Sequence, residues 1–288
     1  MSRNLIGRRV LAVHAHPDDE ALWTGGALAA LAQRGADVHV VTCTLGEEGE
    51  VIGEPYQNLV ESGQLGGFRI AELWASLDIL GATGHHLGAP GKYRDSGMEG
   101  SPAHEHPRAF VNHTEEAVAD LVEIIEELQP DCILTYGPDG GYGHPDHIQA
   151  HRITHAAVEQ YDPSLRIWWA VTDRESQAAG LAAIAEIPEG WRRAEDGELA
   201  SVEKVDLKIM LDDRAYAAKA DAMAAHATQL WIADGRVSRV NPHAALAMSN
   251  TLVFALSNLI AQPLTKDECY QLGNGEAADK SGAVENLL

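Results

Sequence analysis

The stretch "VLAVHAHPDDEALWTGG", residues 10–26, decides the reading of this chain. An apolar run over residues 9–15, rich in Val, Leu and Ala, reads as a buried strand. It breaks abruptly into His16-Pro17-Asp18-Asp19-Glu20 and restarts with helical periodicity over residues 22–34, which Gly35 stops. Three carboxylates crowded around one proline repel one another unless a cation or a reaction holds them together. Residues 37–44, "DVHVVTCT", form a second strand. The result is a βαβ unit whose acidic turn lies at the carboxyl edge of the first strand, the edge at which open α/β sheets bind ligands.

The pattern recurs downstream. Residues 65–80 are amphipathic. Residues 115–128 read as a helix with Val118, Leu121, Val122, Ile125 and Leu128 on one face, capped by Asn112 or Thr114. Pro130 ends it, "CILTY" (132–136) is a strand, and "GPDGGYGHPDH" is a Gly-rich turn opening a helix over 147–161. A second His-Pro-Asp turn therefore follows a second strand, and a sheet brings such turns together. Beyond Asp162 the rhythm changes. "RIWWAVT" and "VEKVDL" read as strands, and residues 214–229 as an Ala-rich helix opened by Asp212 or Asp213. The fold class is α/β: a Rossmann-like, mainly parallel sheet flanked by helices, with a smaller C-terminal α/β cap. The expected divisions are a catalytic core over 1–162, a region completing the pocket over 163–272 and a loose tail over 273–288.

Composition narrows the function. A formal net charge of -22 argues against nucleic-acid and anionic-membrane partners, which require a basic footprint. No window approaches the length of a membrane span, and the N-terminus reads as a first strand rather than a signal peptide. Cys43, Cys132 and Cys269 are scattered and odd in number, as expected in a reducing, cytoplasmic setting. The sequence leaves the oligomeric state open.

The chemistry is carried by the two turns. In "HPDDE", His16 and Asp19 lie three apart; in "HPDH", so do His144 and His147. One imidazole and one carboxylate from the first turn, with one imidazole from the second, make a three-ligand site with room for water. That set suits catalytic Zn2+ and also Fe2+. Asp18 is then placed to take a proton from water. Whichever of His144 and His147 is not a ligand is free to stabilise an oxyanion, and Asp146 could orient it. His147, His151 and His155 form an i, i+4 stripe better explained by packing than by a second metal. His85, His86, His104 and His106 read as loop residues, and "LGEEGE" (45–50) as a loop at the same sheet edge.

"AHPDDE" together with "GHPDH" resembles the LmbE-like, or PIG-L, family of zinc-dependent N-acetylglucosaminyl deacetylases. The longer strings "TCTLGEEGEVIG", "QLGGFRIAEL", "YRDSGM" and "KADAMAAHATQ" are similar to the branch that deacetylates a GlcNAc-inositol in mycothiol biosynthesis. The resemblance spans about residues 10–230. It implies His16, Asp19 and His147 as metal ligands and Asp18 as general base. It also implies His144 as oxyanion stabiliser with Asp146 as its partner, Tyr142 as a mobile residue beside the carbonyl, and Arg69 and Asp95 as holders of sugar hydroxyls. The substrate it implies is a small amino-sugar-inositol. A related amidase branch, acting on mycothiol S-conjugates, shares the catalytic set. It carries a lysine after the first motif and "GGERGE" after the second strand, where this chain has "ALWTGG" and "LGEEGE". A catalytically dead sugar-binding module is disfavoured by the intact ligand and base set.

Overall fold

Strands β1 (Arg9–His14), β2 (Asp37–Thr42), β3 (Thr83–His86), β4 (Cys132–Tyr136) and β5 (Arg166–Val171) form the parallel part of a central sheet. The molecule is described by a computed structural model over residues 4–275 and 282–288. Two further strands, β6 (Leu207–Met210) and β10 (Asp267–Leu272), complete the sheet in the order β3-β2-β1-β4-β5-β10-β6, with β10 antiparallel to both neighbours. Between them in sequence, β7 (Trp231–Ile232), β8 (Val253–Ala255) and β9 (Gln262–Pro263) make a small antiparallel sheet. The helices are α1 (Asp19–Trp23), α2 (Gly25–Gln33), α3 (Asn58–Glu61), α4 (Leu65–Leu80), α5 (Thr114–Leu128), α6 (Pro145–Tyr161), α7 (Arg174–Ala183) and α8 (Asp213–Ala225).

The apolar run of β1 is continuous because both faces of the sheet are covered. Val10 and Ala12 pack with residues of α2, α4 and α8, while Leu11 and Val13 pack with residues of α5 and α6. The chain steps outward from β1 to β2 and β3, then returns to β4 on the other side of β1 and continues to β5. Strand order therefore reverses between β1 and β4. That switch point opens a crevice at the carboxyl ends of those two strands, beneath the two His-Pro-Asp turns.

Several details differ from the sequence reading. The helix expected over 22–34 is two helices. The first starts at Asp19, so the carboxylate cluster occupies its opening turn, and the break falls at Thr24. Thr24 Oγ1 donates to the Glu20 carbonyl at 3.2 Å and lies 2.9 Å from His14 Nε2, which holds the break in place. His113, not Asn112 or Thr114, precedes α5. His85 and His86 lie in β3, not in a loop. The stretch "VEKVDL" stops where β6 begins. The central sheet runs on past Asp162 through β5, β10 and β6, so residues on both sides of the expected boundary share one sheet. Residues 276–281 of the expected loose tail lie outside the described residues, but residues 282–288 are docked. Leu287 is fully buried, its carbonyl accepts from Trp168 Nε1 at 2.9 Å, and Arg34 pairs with Glu285.

β10 also closes the structure electrostatically. Glu268, on β10, accepts hydrogen bonds from the backbone N–H groups of Gly26 (2.7 Å) and Ala27 (2.8 Å), at the N-terminus of α2. It thereby satisfies donors the helix cannot, next to the positive end of its dipole. Lys219 Nζ of α8 lies 2.6 Å from the same carboxylate, and Tyr270 donates to it at 3.0 Å. Lys219 and Glu268 are both buried. Removing one partner of such a pair strands the other. Glu268→Ala is therefore expected to destabilise the fold by about 3–5 kcal/mol, and Lys219→Met by less, since Glu268 keeps its three other donors. Urea unfolding measures both; a loss for Glu268→Ala below about 1 kcal/mol, the scale of an exposed ion pair, would refute this role.

Candidate active site

The turn after β1 and the start of α6 meet at the switch point. His16 Nδ1 and Asp19 Oδ2 are 3.3 Å apart, His147 Nε2 and Asp19 Oδ2 are 3.3 Å apart, and His147 Nε2 and His16 Nδ1 are 3.3 Å apart. The three predicted ligands thus form an equilateral triangle of donor atoms, all buried. An ion with bonds of about 2.0–2.1 Å in tetrahedral geometry spaces its ligands roughly 3.3–3.4 Å apart, so the donor set fits a small divalent cation. Burial raises the Asp19 pKa, but the His147 and His16 rings outweigh it and hold the carboxylate well below its usual range. His147 Nδ1 lies 3.0 Å from the Gly140 carbonyl, which leaves Nε2 for the centre. Gly140 has φ +66°, and a Cβ there would come within 2.8 Å of His147 Cβ, so this close approach calls for glycine.

The far edge of His16 corrects one expectation. Asp146 does not hold His144. Its Oδ2 lies 3.2 Å from His16 Nε2 and accepts from Ser96 N at 2.9 Å. Asp95 Oδ1 stands 3.5 Å from the same His16 nitrogen. The physical reason is the helix start: His144 is the N-cap of α6, so its Nδ1 accepts the Asp146 backbone N–H at 3.2 Å, while the Asp146 side chain turns inward to the imidazole across the crevice. Burial lowers the His16 pKa, yet Asp95 and the hydrogen bonds to Asp146 and Asp19 raise it overall. With Nδ1 accepting, the donor of neutral His144 is Nε2–H. Burial, then His16 and His147, push the His144 pKa down to about 3, so the ring is neutral at ordinary pH.

Asp18 sits beside Asp19 but outside the triangle. Its φ of 112° is unusual for a residue with a side chain, and it turns the carboxylate away from that of Asp19. Arg69 Nη2 meets Asp18 Oδ2 at 2.8 Å and also bonds the Pro17 carbonyl, while Nη1 donates to the Gly46 carbonyl at 2.8 Å. Gly46, at φ +64°, has no room for a Cβ against this guanidinium. Below, Glu20 Oε2 accepts the Asp18 N–H at 3.0 Å; its other oxygen contacts His226 Nε2 at 2.6 Å and Ser76 Oγ at 2.5 Å. Burial pushes the Asp18 pKa up to about 6, although Arg69 works in the opposite direction. Asp95 is likewise held, accepting from Gly97 N at 2.8 Å and Glu48 N at 3.1 Å. Arg69 and Asp95 thus bind the protein itself in addition to lining the cavity.

A cavity of about 600 Å³ opens above the triangle. His16, Asp18, Asp19, Arg69, Asp95 and His144 line its floor. Tyr142 is half exposed at its rim, with its ring centroid 5.0 Å from that of His147. Glu48 and Glu50 of the "LGEEGE" loop contribute a wall, and Gln177, Gln229 and Asn258 contribute from the C-terminal region. The histidine stripe on α6 is structural beyond His147. His151 Nδ1 lies 2.9 Å from the Tyr136 carbonyl, and Trp169 Nε1 donates to His155 Nε2 at 3.0 Å. All three cysteines are free and buried. Sequence reasoning missed Glu20, His226 and Tyr136. Glu20 carried a signal as the third carboxylate of the first motif, and His226 as a residue of the quoted string "KADAMAAHATQ".

Comparison with known proteins gives the chain's kinship. Over residues 11–158 the chain matches the family described as PIG-L, GlcNAc-PI de-N-acetylase. It is 61% identical, over 99% of both chains, to a Corynebacterium diphtheriae protein named 1D-myo-inositol 2-acetamido-2-deoxy-alpha-D-glucopyranoside deacetylase. Among solved structures it resembles N,N'-diacetylchitobiose deacetylase from Pyrococcus horikoshii, with a TM-score of 0.52, 20% identity, and coverage of 77% of this chain and 70% of that one. It also resembles a 4-carboxy-2-hydroxymuconate hydratase from Pseudomonas putida, with a TM-score of 0.54, 17% identity, and coverage of 95% and 99%. Those two likenesses show the fold, and the hydratase shows that the fold alone does not fix the reaction. The matched core and the near full-length identity do fix the kinship: this chain belongs to the PIG-L family.

Proposed function

We propose that the chain is a metal-dependent hydrolase that removes the N-acetyl group from GlcNAc-inositol, giving GlcN-inositol and acetate, in mycothiol biosynthesis. The observation that carries the reading is the triangle of His16, Asp19 and His147 beside a sugar-sized cavity, onto which His16, Asp19 and the neighbouring Asp18 open. The relatives' names supply the substrate. Zinc is the ion we assign, as the resemblance implies; the 3.3 Å spacing of the three donor atoms fits a small divalent cation. Such an ion, when bound, supplies Lewis acidity toward the amide carbonyl and makes water nucleophilic at neutral pH.

The residues divide the remaining tasks. Asp18, held by Arg69 and poised near pH 6, takes the proton of the attacking water and returns it to the departing amine. His144, neutral with its proton on Nε2, donates to the oxyanion. Asp146 orients His16 rather than His144. Tyr142 closes over the carbonyl from the rim, and Arg69 and Asp95 present their remaining polar edges to sugar hydroxyls. The region over 163–272 completes the pocket for the inositol side. Buried free cysteines, and the lack among the described residues of a helix long and apolar enough to cross a membrane, accord with work in the cytoplasm.

Amine release from GlcNAc-inositol, set beside release from a mycothiol S-conjugate, tests the assignment; faster turnover of the conjugate would overturn it in favour of the amidase. His16→Ala is expected to abolish stoichiometric zinc in elemental analysis. His144→Ala is expected to keep its zinc and KM while kcat falls by about 10²–10³. A metal-free His144→Ala protein would make that residue a ligand instead.

Asp18 allows a sharper test, because its two roles separate. Both Asp18→Ala and Asp18→Gly remove the base and are expected to lose about 10²–10⁴ in rate while retaining zinc. Their stabilities should differ. Alanine at φ 112° keeps the backbone strain that glycine escapes. Asp18→Gly is expected to be the more stable by about 1 kcal/mol, even after the greater entropy of its unfolded chain. Equal or reversed thermal midpoints would show that the turn is unstrained.

A further inference from the structure

The three ligand atoms come from two chain segments more than a hundred residues apart, and one side chain outside the ligand set touches both. We propose that Tyr136 is the positioning residue of the metal centre, fixing the turn that carries His16 and Asp19 through its hydroxyl and His147 through its ring. Tyr136 ends β4 and is fully buried. Its ring stacks on His147, with centroids 4.1 Å apart and planes 13° apart. Its hydroxyl oxygen accepts the Ala15 N–H at 2.9 Å, in the turn that carries His16 and Asp19.

With the Ala15 N–H donating to the phenol oxygen, the hydroxyl anchors the turn from which the His16 and Asp19 side chains reach the centre. Within that turn Asp19 Oδ2 accepts the His16 backbone N–H at 2.9 Å, so the carboxylate is restrained before any ion arrives. On His147, Gly140 fixes which nitrogen faces the centre, and the stacked phenol ring fixes the plane in which it does so. His14 and Trp23 pack edge-on against Tyr136, with centroids 5.3 Å and 5.9 Å away, which leaves its ring no other orientation. Partners of this kind, behind the ligands, typically change metal affinity by about 10–100-fold when removed.

The proposal rests on the ligand set assigned above, so the experiment carries its own control. Tyr136→Phe keeps the stacked ring and deletes the hydroxyl; Tyr136→Leu deletes both; His147→Ala removes a ligand. Zinc dissociation constants are measured by chelator competition, the Co2+-substituted proteins by visible absorption, and the metal-free proteins by thermal unfolding. Tyr136→Phe is expected to bind zinc about tenfold more weakly than the unmodified chain, with an altered cobalt spectrum. Tyr136→Leu is expected to bind more weakly still, and His147→Ala not to bind stoichiometrically. If Tyr136→Phe loses thermal stability while its zinc affinity and cobalt spectrum match the unmodified chain, Tyr136 is only a core residue and the proposal falls. If His147→Ala keeps its zinc, the ligand set is wrong and the proposal falls with it. These readouts use the metal alone, so failure to deacetylate GlcNAc-inositol would overturn the functional reading without touching this one.

Discussion

Everything in this molecule answers to one constraint: His16 is buried with Asp19, Asp95, Asp146 and His147, all buried too, each 3.2–3.5 Å from one of its ring nitrogens. Taking one charge out of water costs several kcal/mol, and a set of them is tolerable only if each finds a partner. The sheet supplies the meeting place, because the reversal of strand order between β1 and β4 brings two turns together that the sequence keeps far apart. Backbone amides supply much of the rest. Ser96, Gly97, Glu48 and His16 each point an N–H at one of the carboxylates. One buried oxygen, Asp146 Oδ1, has no partner. In the function proposed above, a divalent cation among the three donors completes this cluster.

The region beyond β5 does two jobs with one piece of chain. Its strand β10 enters the central sheet and offers Glu268 to the N-terminus of α2, the helix that comes directly after the first motif. Its loops, with Gln177, Gln229 and Asn258, wall the cavity opposite the triangle. Helix α2 is therefore pinned by the same segment that walls the cavity. His226, at the end of α8, reinforces the link by reaching Glu20 under Asp18.

Local signals made the core of the fold legible. The continuous apolar strands, the stops at Gly35 and Pro130 and the two His-Pro-Asp turns require only neighbours in sequence, and β1, β2, β4 and α6 appear where those signals place them. The three proposed ligands were legible for the same reason. What was not legible depends on distant pairing. β10 is a short strand whose place between β5 and β6 is set by partners, not by its own pattern. Asp146 was assigned to its neighbour His144, because sequence shows who is adjacent and not which way a helix's first turn faces. Tyr136 read as one more apolar residue of "CILTY". Nothing local distinguishes a phenol that fills a core from one that also bonds a distant turn and stacks on a histidine.

The first motif also explains why a strained backbone persists at its centre. A ligand and a base must lie within a few ångströms of one reacting water, and the chain makes them consecutive residues. In an ordinary helical or extended backbone, the side chains of Asp18 and Asp19 would diverge by fixed angles that do not suit both roles. Turning Asp18 to φ 112° lets Asp19 face His147 while Asp18 faces Arg69 and the cavity. Such a conformation costs about 1–3 kcal/mol and survives only if the surroundings over-determine it. Here they do: Arg69 clamps the carboxylate from above and Glu20, held by His226 and Ser76, takes the N–H from below. The crowding of acids around Pro17 is therefore a division of labour. In the function proposed above, Asp19 serves the ion, Asp18 the water, and Glu20 the backbone that holds Asp18 in its turned conformation.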